Sequence, residues 1–113
     1  MRYKAISLKQ PWANLVAEGK KTIETRKWKT NYRGKLLICS SQKPNIEPFG
    51  KAICTVELYD IKPMTKDHET KACCKVYPKA YSWFLKDIKK IKKPFPVKGK
   101  LNIYDVEVDG SYL

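Results

Sequence analysis

The stretch SLKQPWANLVAEGKKTIETRKW, residues 7 to 28, decides how the chain is read. It opens on the end of an apolar strand, KAISL (4–8), and then meets Pro11, which suits the first position of a helix because that position has no use for a backbone N–H. Trp12, Leu15, Val16 and Gly19 follow at i, i+3, i+4 and i+7, the spacing of one helical face over about two turns. Gly19 is a natural stop. The chain restarts as TIETRKW (22–28), where Thr22, Glu24, Arg26 and Trp28 share one strand face and Ile23 and Thr25 the other. A strand–helix–strand unit is expected, with a charged face on its second strand.

Working outward, KLLICSS (35–41) is a β-rich apolar run, and KAICTVELYDI (51–61) is the longest strand candidate. Between them lies a loop marked by Pro44, Pro48 and Gly50. Thr65 can cap a short polar helix over KDHETKACC, with Glu69 in a near capping-box position. AYSWFL (80–85) alternates Tyr81, Trp83 and Leu85 on one side. A lysine-rich stretch, the break PFPVKG and a last strand over KLNIYDVEV (100–108) complete the chain. About six strands and two short helices in 113 residues predict a mainly β, α+β fold. The expected architecture is one small, mostly antiparallel barrel over residues 1–113, with the helices flanking an opening. Too few helices separate the strands for a doubly wound sheet.

Composition narrows the function. The formal net charge is +13, and it is uneven. Residues 1–35 hold ten Lys or Arg against Glu18 and Glu24, and residues 86–100 hold seven Lys against Asp87. Such an excess points to a polyanionic partner, RNA or a nucleotide first and single-stranded DNA second. No apolar run reaches the roughly 18 residues a membrane span needs, and the charged start MRYKAISLKQ does not read as a signal peptide. Cys39 and Cys54 sit in apolar runs, while Cys73 and Cys74 are adjacent and unsuited to a disulfide framework. With His68 five and six residues before that pair, the spacing does not suit a metal site, and no metal or cofactor is expected. Reduced thiols in the cytoplasm and a monomer are the default expectations.

The residues that could carry chemistry cluster in the opening stretch. Side chains of Glu24 and Arg26, two apart on a strand, stand about 7 Å apart on the same side. Lys21 joins them from the helix stop, so a base or acid, a cation and an anion clamp could converge. A surface ion pair explains Glu24 and Arg26 equally well. Lys9 and Gln10 fall at the helix entrance, where unpaired N–H groups attract anions. Trp12 reads as core, with base stacking as the alternative. Ser40 and Ser41 end a strand with hydroxyls. Tyr77, Tyr81 and Trp83 precede the lysines up to Lys98, an aromatic–basic mixture that suits base stacking beside phosphate contacts. Alternation explains Tyr81 and Trp83 equally well as an inward-facing core set.

Taken together, SLKQPWA, GKKTIETR, the YRG before LLICSS, AYSWFL and PFPVKGKLNIYDV resemble the ASCH domain family, in order and over nearly the whole chain. The resemblance implies a PUA-like β-barrel whose helices flank a cleft, and RNA or nucleotide-related ligands. It nominates Lys9, Gln10, Pro11 and Trp12 on one wall and Lys21, Thr22, Glu24 and Arg26 on the other, with Ser40 and Ser41 bordering the cleft. One branch of the family resembles an amidohydrolase acting on N4-acetylcytidine, in which the position of Lys21 supplies a base. That branch has a threonine nucleophile where this chain has Glu24. It also uses a carboxylate from the helical segment, for which Glu69 is the candidate here. Other members resemble metal-independent ribonucleases, in which Lys21 and Arg26 would stabilise the phosphate and Glu24 would activate a 2′-hydroxyl. The resemblance therefore implies a binding domain first and a small hydrolase as the alternative.

Overall fold

A computed structural model of the chain describes residues 1–112. Six strands form one sheet: β1 (Arg2–Leu8), β2 (Ile23–Arg26), β3 (Gly34–Ser40), β4 (Lys51–Pro63), β5 (Tyr81–Pro96) and β6 (Tyr104–Glu107). Their order is β2-β5-β4-β3-β1-β6. Only β1 and β3 run parallel, in the register Ile6 opposite Ile38. The mainly β, six-stranded architecture expected from the pattern is the one observed.

Two features curl the sheet into a half-barrel. β4 and β5 are long, and their pairing slips between Ala52 and Cys54, between Thr55 and Glu57, and between Leu58 and Asp60. Extra residues of this kind bend a strand and increase its twist. The run LLIC of β3 is apolar on successive residues because both faces are covered. Leu36 and Ile38 join a core with Ile6, Leu8, Val56, Leu58 and Trp83. Leu37 and Cys39 join a second core with Ala5, Ala52, Phe95 and Tyr104.

Helix α1 (Trp12–Ala17) covers the first core, and α2 (Glu69–Ala72), which follows a 3-10 turn at Lys66–His68, covers a third made of Ile23, Met64, Ala72 and Ala80. α1 ends as the sequence indicates. Gly19 adopts φ +79°, and the Leu15 carbonyl accepts the N–H groups of Lys20 (2.9 Å) and Lys21 (3.0 Å). This tight exit delivers Lys21 to the start of β2.

The phase of α1 differs from the expected stripe. Ala13 and Val16 are its fully buried residues, and Trp12 is 38% exposed. With only six residues, α1 takes its phase from the small side chains that let it approach the sheet. β2 also stops at Arg26, so Trp28 is not on its face. Trp28 turns back onto Trp83, edge to face with centroids 4.9 Å apart, and its carbonyl accepts the Trp83 indole N–H at 3.3 Å. The lysine-rich stretch, expected to follow a strand, is part of one: β5 continues through it because β4 supplies a partner as far as Lys51 opposite Pro96. The last strand is shorter than expected and begins only at Tyr104.

Trp83 is completely buried. Replacing it with Ala is expected to cost about 3–5 kcal/mol in urea denaturation, whereas Trp12→Ala is expected to change stability by less than about 0.5 kcal/mol. Equal effects would contradict this assignment of the two rings.

Candidate functional site

The curl leaves a cavity of about 910 Å³ between the C-terminal ends of the parallel pair β1 and β3, strand β2 and the loop after β5. Lys21 forms its floor and is 1% exposed. Its ammonium donates to the Ala72 carbonyl at the end of α2 and pairs with Glu24 Oε1 at 3.5 Å. Arg26 Nε donates to the other carboxylate oxygen, Oε2, at 3.0 Å. Arg26 Nη2 donates to the Ser7 carbonyl at 2.8 Å. β6 pairs with β1 only as far as Ala5, so the Ser7 carbonyl lies past that ladder and Arg26 supplies it with a donor.

The triad therefore links α2, β2 and β1, and it closes the curl between one edge strand and the strand next to the other edge. The Glu24 side chain is 12% exposed, enough to meet a ligand while its oxygens stay engaged. Arg26 Nη1 has no partner among the described residues, which leaves it free to donate into the cavity.

Around the triad the lining is cationic. Lys9, Lys21, Arg26, Lys98 and Lys100 line the cavity against a single carboxylate, Glu24. Ser40 and Ser41 border it too. The Ser40 hydroxyl is already committed to the backbone of Lys51, donating to its carbonyl at 3.2 Å and accepting its N–H at 3.3 Å. Ser41 holds only a backbone bond, to the Leu8 carbonyl at 2.9 Å, and its hydroxyl has no partner among the described residues. The exposed ring of Trp12 stands at the rim with Lys9.

Four of the residues expected to face a ligand do not line this cavity: Gln10, Pro11, Thr22 and Trp83. Gln10 is buried. Its amide oxygen accepts the Asn14 N–H at 2.9 Å, and its NH₂ donates to the Pro48 carbonyl at 3.2 Å. Gln10 thus caps α1 and pins the loop of residues 41–50. The Ala13 and Leu15 N–H groups are also taken, by the carbonyls of Lys9 and Pro11. The helix entrance is therefore no anion cradle.

Thr22 serves through its backbone, its N–H bonded to the Lys71 carbonyl and its carbonyl to the Leu85 N–H. Trp83, considered for base stacking, is core. Tyr81 packs against the first core, with Lys29 Nζ 5.7 Å from its ring centroid. Glu69, the candidate second carboxylate, accepts the Val76 N–H at 2.7 Å and lies outside the lining.

Other lining residues were not singled out for the site. Thr25, expected to face away from the charged side, borders the cavity beside Cys74, with Oγ1 and Sγ 3.8 Å apart. Cys39 also lines it, but burial pushes its thiol up to about 11, so it stays protonated at neutral pH. The loop after β5 comes close: a β-carbon at Gly99 would stand 3.0 Å from Ser7 Oγ. That hydroxyl shares a 2.5 Å hydrogen bond with the Tyr104 phenol, whose pKa burial raises. Among the described residues, no three His, Cys, Asp or Glu side chains group in a way that could hold a metal ion, and no helix is long and apolar enough to cross a membrane.

The ASCH domain model matches residues 6–95. The chain belongs to the ASCH domain family. Its fold is similar to the crystal structure of ASCH from Zymomonas mobilis, with a TM-score of 0.72 and 16% identity over 93% of this chain and 87% of that one. A tyrosine-to-phenylalanine variant of the same protein aligns with TM-score 0.69 at 15% identity, over 93% of this chain and 90% of that one. At this identity the likeness establishes the fold alone. No curated protein sequence matches the chain. Within this ASCH domain, the matched segment includes the whole Lys21–Glu24–Arg26 triad, while Lys98 and Lys100 lie beyond it.

The triad's wiring sets an asymmetry. Glu24→Ala leaves the buried Lys21 ammonium with a carbonyl alone and is expected to destabilise the fold by about 3 kcal/mol, as for other broken buried pairs. Lys21→Met leaves Glu24 still paired with Arg26 and is expected to cost less. Denaturation of both variants checks the order, and the reverse order would contradict it.

Proposed function

We propose that this ASCH domain binds RNA, seating a nucleoside or base in the cavity and holding the flanking phosphates on the lysines of its rim. RNA binding is the general property of ASCH domains, and the observation that carries the reading here is the lining itself. Five cations face one carboxylate in a cavity of about 910 Å³, within the size range of small-ligand sites. Arg26 Nη1 and the Ser41 hydroxyl offer a donor and a donor–acceptor to a base edge or ribose. Lys98 and Lys100 supply phosphate contacts, and the exposed Trp12 ring supplies a stacking surface at the rim. Single-stranded DNA satisfies the phosphate contacts equally and is distinguished only where a 2′-hydroxyl is read. All four cysteines are free, which fits a reducing compartment such as the cytoplasm.

A hydrolytic role is the second reading, favoured by the Lys21–Glu24 pair at the cavity floor. The hydrogen bonding weighs against it. Lys21 Nζ meets the Ala72 carbonyl and Glu24, not a hydroxyl that it could activate. Glu24 would itself have to act as base on water or on a 2′-hydroxyl.

Fluorescence anisotropy with a labelled single-stranded RNA tests the binding reading. Affinity is expected to fall with salt, and Lys98→Gln/Lys100→Gln is expected to reduce the log–log slope by about 1.4, two phosphate contacts at about 0.7 each. A flat salt response would contradict the proposal. Incubating the same protein with labelled RNA and with N4-acetylcytidine is expected to leave both intact. Turnover that Lys21→Met abolishes would put the hydrolytic reading in its place.

A further inference from the structure

A second basic surface lies apart from the cavity. It is a hollow of about 560 Å³ bordered by Tyr3, Lys35, Thr55 and the lysines 89, 90, 92 and 93 of β5. It shares no lining residue with the cavity of the triad. None of its five lysines makes an ion pair among the described residues. Glu57 stands in register between Lys35 and Lys86, and Asp109 accepts the N–H of Ser111, which also borders the hollow, at 3.0 Å.

Lysines on an exposed strand edge have a mundane explanation. β2 pairs with β5 only up to Phe84, so beyond that point β5 has β4 as its one strand neighbour, and edge lysines discourage pairing with another chain. Two observations exceed what a guard requires. Lys35 belongs to another strand, β3, opposite Glu57 of β4, so the lysines are not confined to one edge. The lysines also border a hollow, with a half-buried aromatic, Tyr3, in its wall.

The chain that carries this surface runs on to the cavity. After Pro96, Val97 is tied to the Gly50 carbonyl at 3.1 Å, and Lys98 and Lys100 reach the cavity rim. Lys98 lies five residues on from Lys93, a reach of at most about 16 Å at ~3.3 Å per extended residue. That is the length of about five phosphates in a stacked strand at ~3.4 Å each.

We infer that this hollow is a second contact surface for the RNA strand seated in the cavity. The strand's phosphates leave the cavity rim and run along β5 onto Lys89, Lys90, Lys92, Lys93 and Lys35. This rests on the RNA-binding reading of the cavity, which makes the occupant single-stranded RNA, and the closely spaced phosphates of such a strand match the row of lysines without ion pairs.

The test measures anisotropy with oligouridylates of four and twelve nucleotides, on the intact protein and on a variant carrying Lys89→Gln, Lys90→Gln, Lys92→Gln and Lys93→Gln. Wild type is expected to bind the twelve-nucleotide RNA at least about tenfold more tightly than the four-nucleotide one. The variant should lose that gain, keep its affinity for the short RNA, and show a salt slope smaller by about 2.8, four contacts at about 0.7 each. Should the quadruple variant aggregate, the pairs 89/90 and 92/93 changed separately are each expected to remove about half of the slope change. No length gain in wild type, or a gain with unchanged slope in the variants, overturns the inference while short-RNA binding leaves the cavity reading standing. Binding of the long RNA that depends on these lysines, with no short-RNA binding, upholds the surface and removes the cavity reading. Displacement of the long RNA by polyglutamate of equal charge at equal concentration overturns the commitment to nucleic acid and assigns the surface to an acidic protein segment.

Discussion

One carboxylate organises this ASCH domain's site. Glu24 lies between the Lys21 ammonium and the Arg26 guanidinium, and those two cations reach out in turn to the carbonyls of Ala72 and Ser7. A buried ammonium and a half-buried guanidinium could not be tolerated so close together without it, because burial of charge is costly unless the charge is paired and hydrogen-bonded. The consequence is mechanical as well as electrostatic. α2, β2 and β1 come together at the carboxylate, so the edge strand β2 is bound to the far side of a sheet that otherwise meets it only through β5. The cavity exists because that closure is made by polar side chains around a space, where continuous strand pairing would have left none.

The same wiring bears on function. A site whose acid is held by two cations, and whose amine is held by a carbonyl, is built to keep its groups in place. On the binding reading such preorganisation would serve recognition directly, because the donors left over, Arg26 Nη1 above all, would be held in place before a ligand arrives. The surrounding lysines add attraction without geometry, which is how phosphate contacts ordinarily divide labour with base contacts.

Much of this was legible in residues 7–28. Pro11 and Gly19 bracket a short helix, and the i, i+2 spacing of Glu24 and Arg26 put both on one side of a strand, with Lys21 delivered by the turn. Side-chain direction on so short a helix was not legible. Trp12 looked like the start of an apolar stripe, yet the sheet accepts only Ala13 and Val16 closely. Nor could the pattern show that Gln10 turns inward to cap α1, because its partners, Asn14 and Pro48, include one 38 residues away. Trp83 and the lysines after it gave an aromatic–basic signal that mixed two environments: alternation along β5 buries the indole and leaves the lysines outside. Tyr77 and Lys98, part of that same signal, do line the cavity, whereas Cys74 and Gly99 enter it through long-range topology, for which a single sequence offers no local sign.

The central claim, that the cavity over Lys21, Glu24 and Arg26 receives RNA, is tested most directly by ¹H–¹⁵N NMR of the protein titrated with a four-nucleotide RNA. The expected result is a shift of the Arg26 side-chain Nε–H and of the Ser41, Cys74 and Gly99 amides, with the buried Trp83 indole N–H unmoved. RNA binding that leaves those four signals in place would contradict the account.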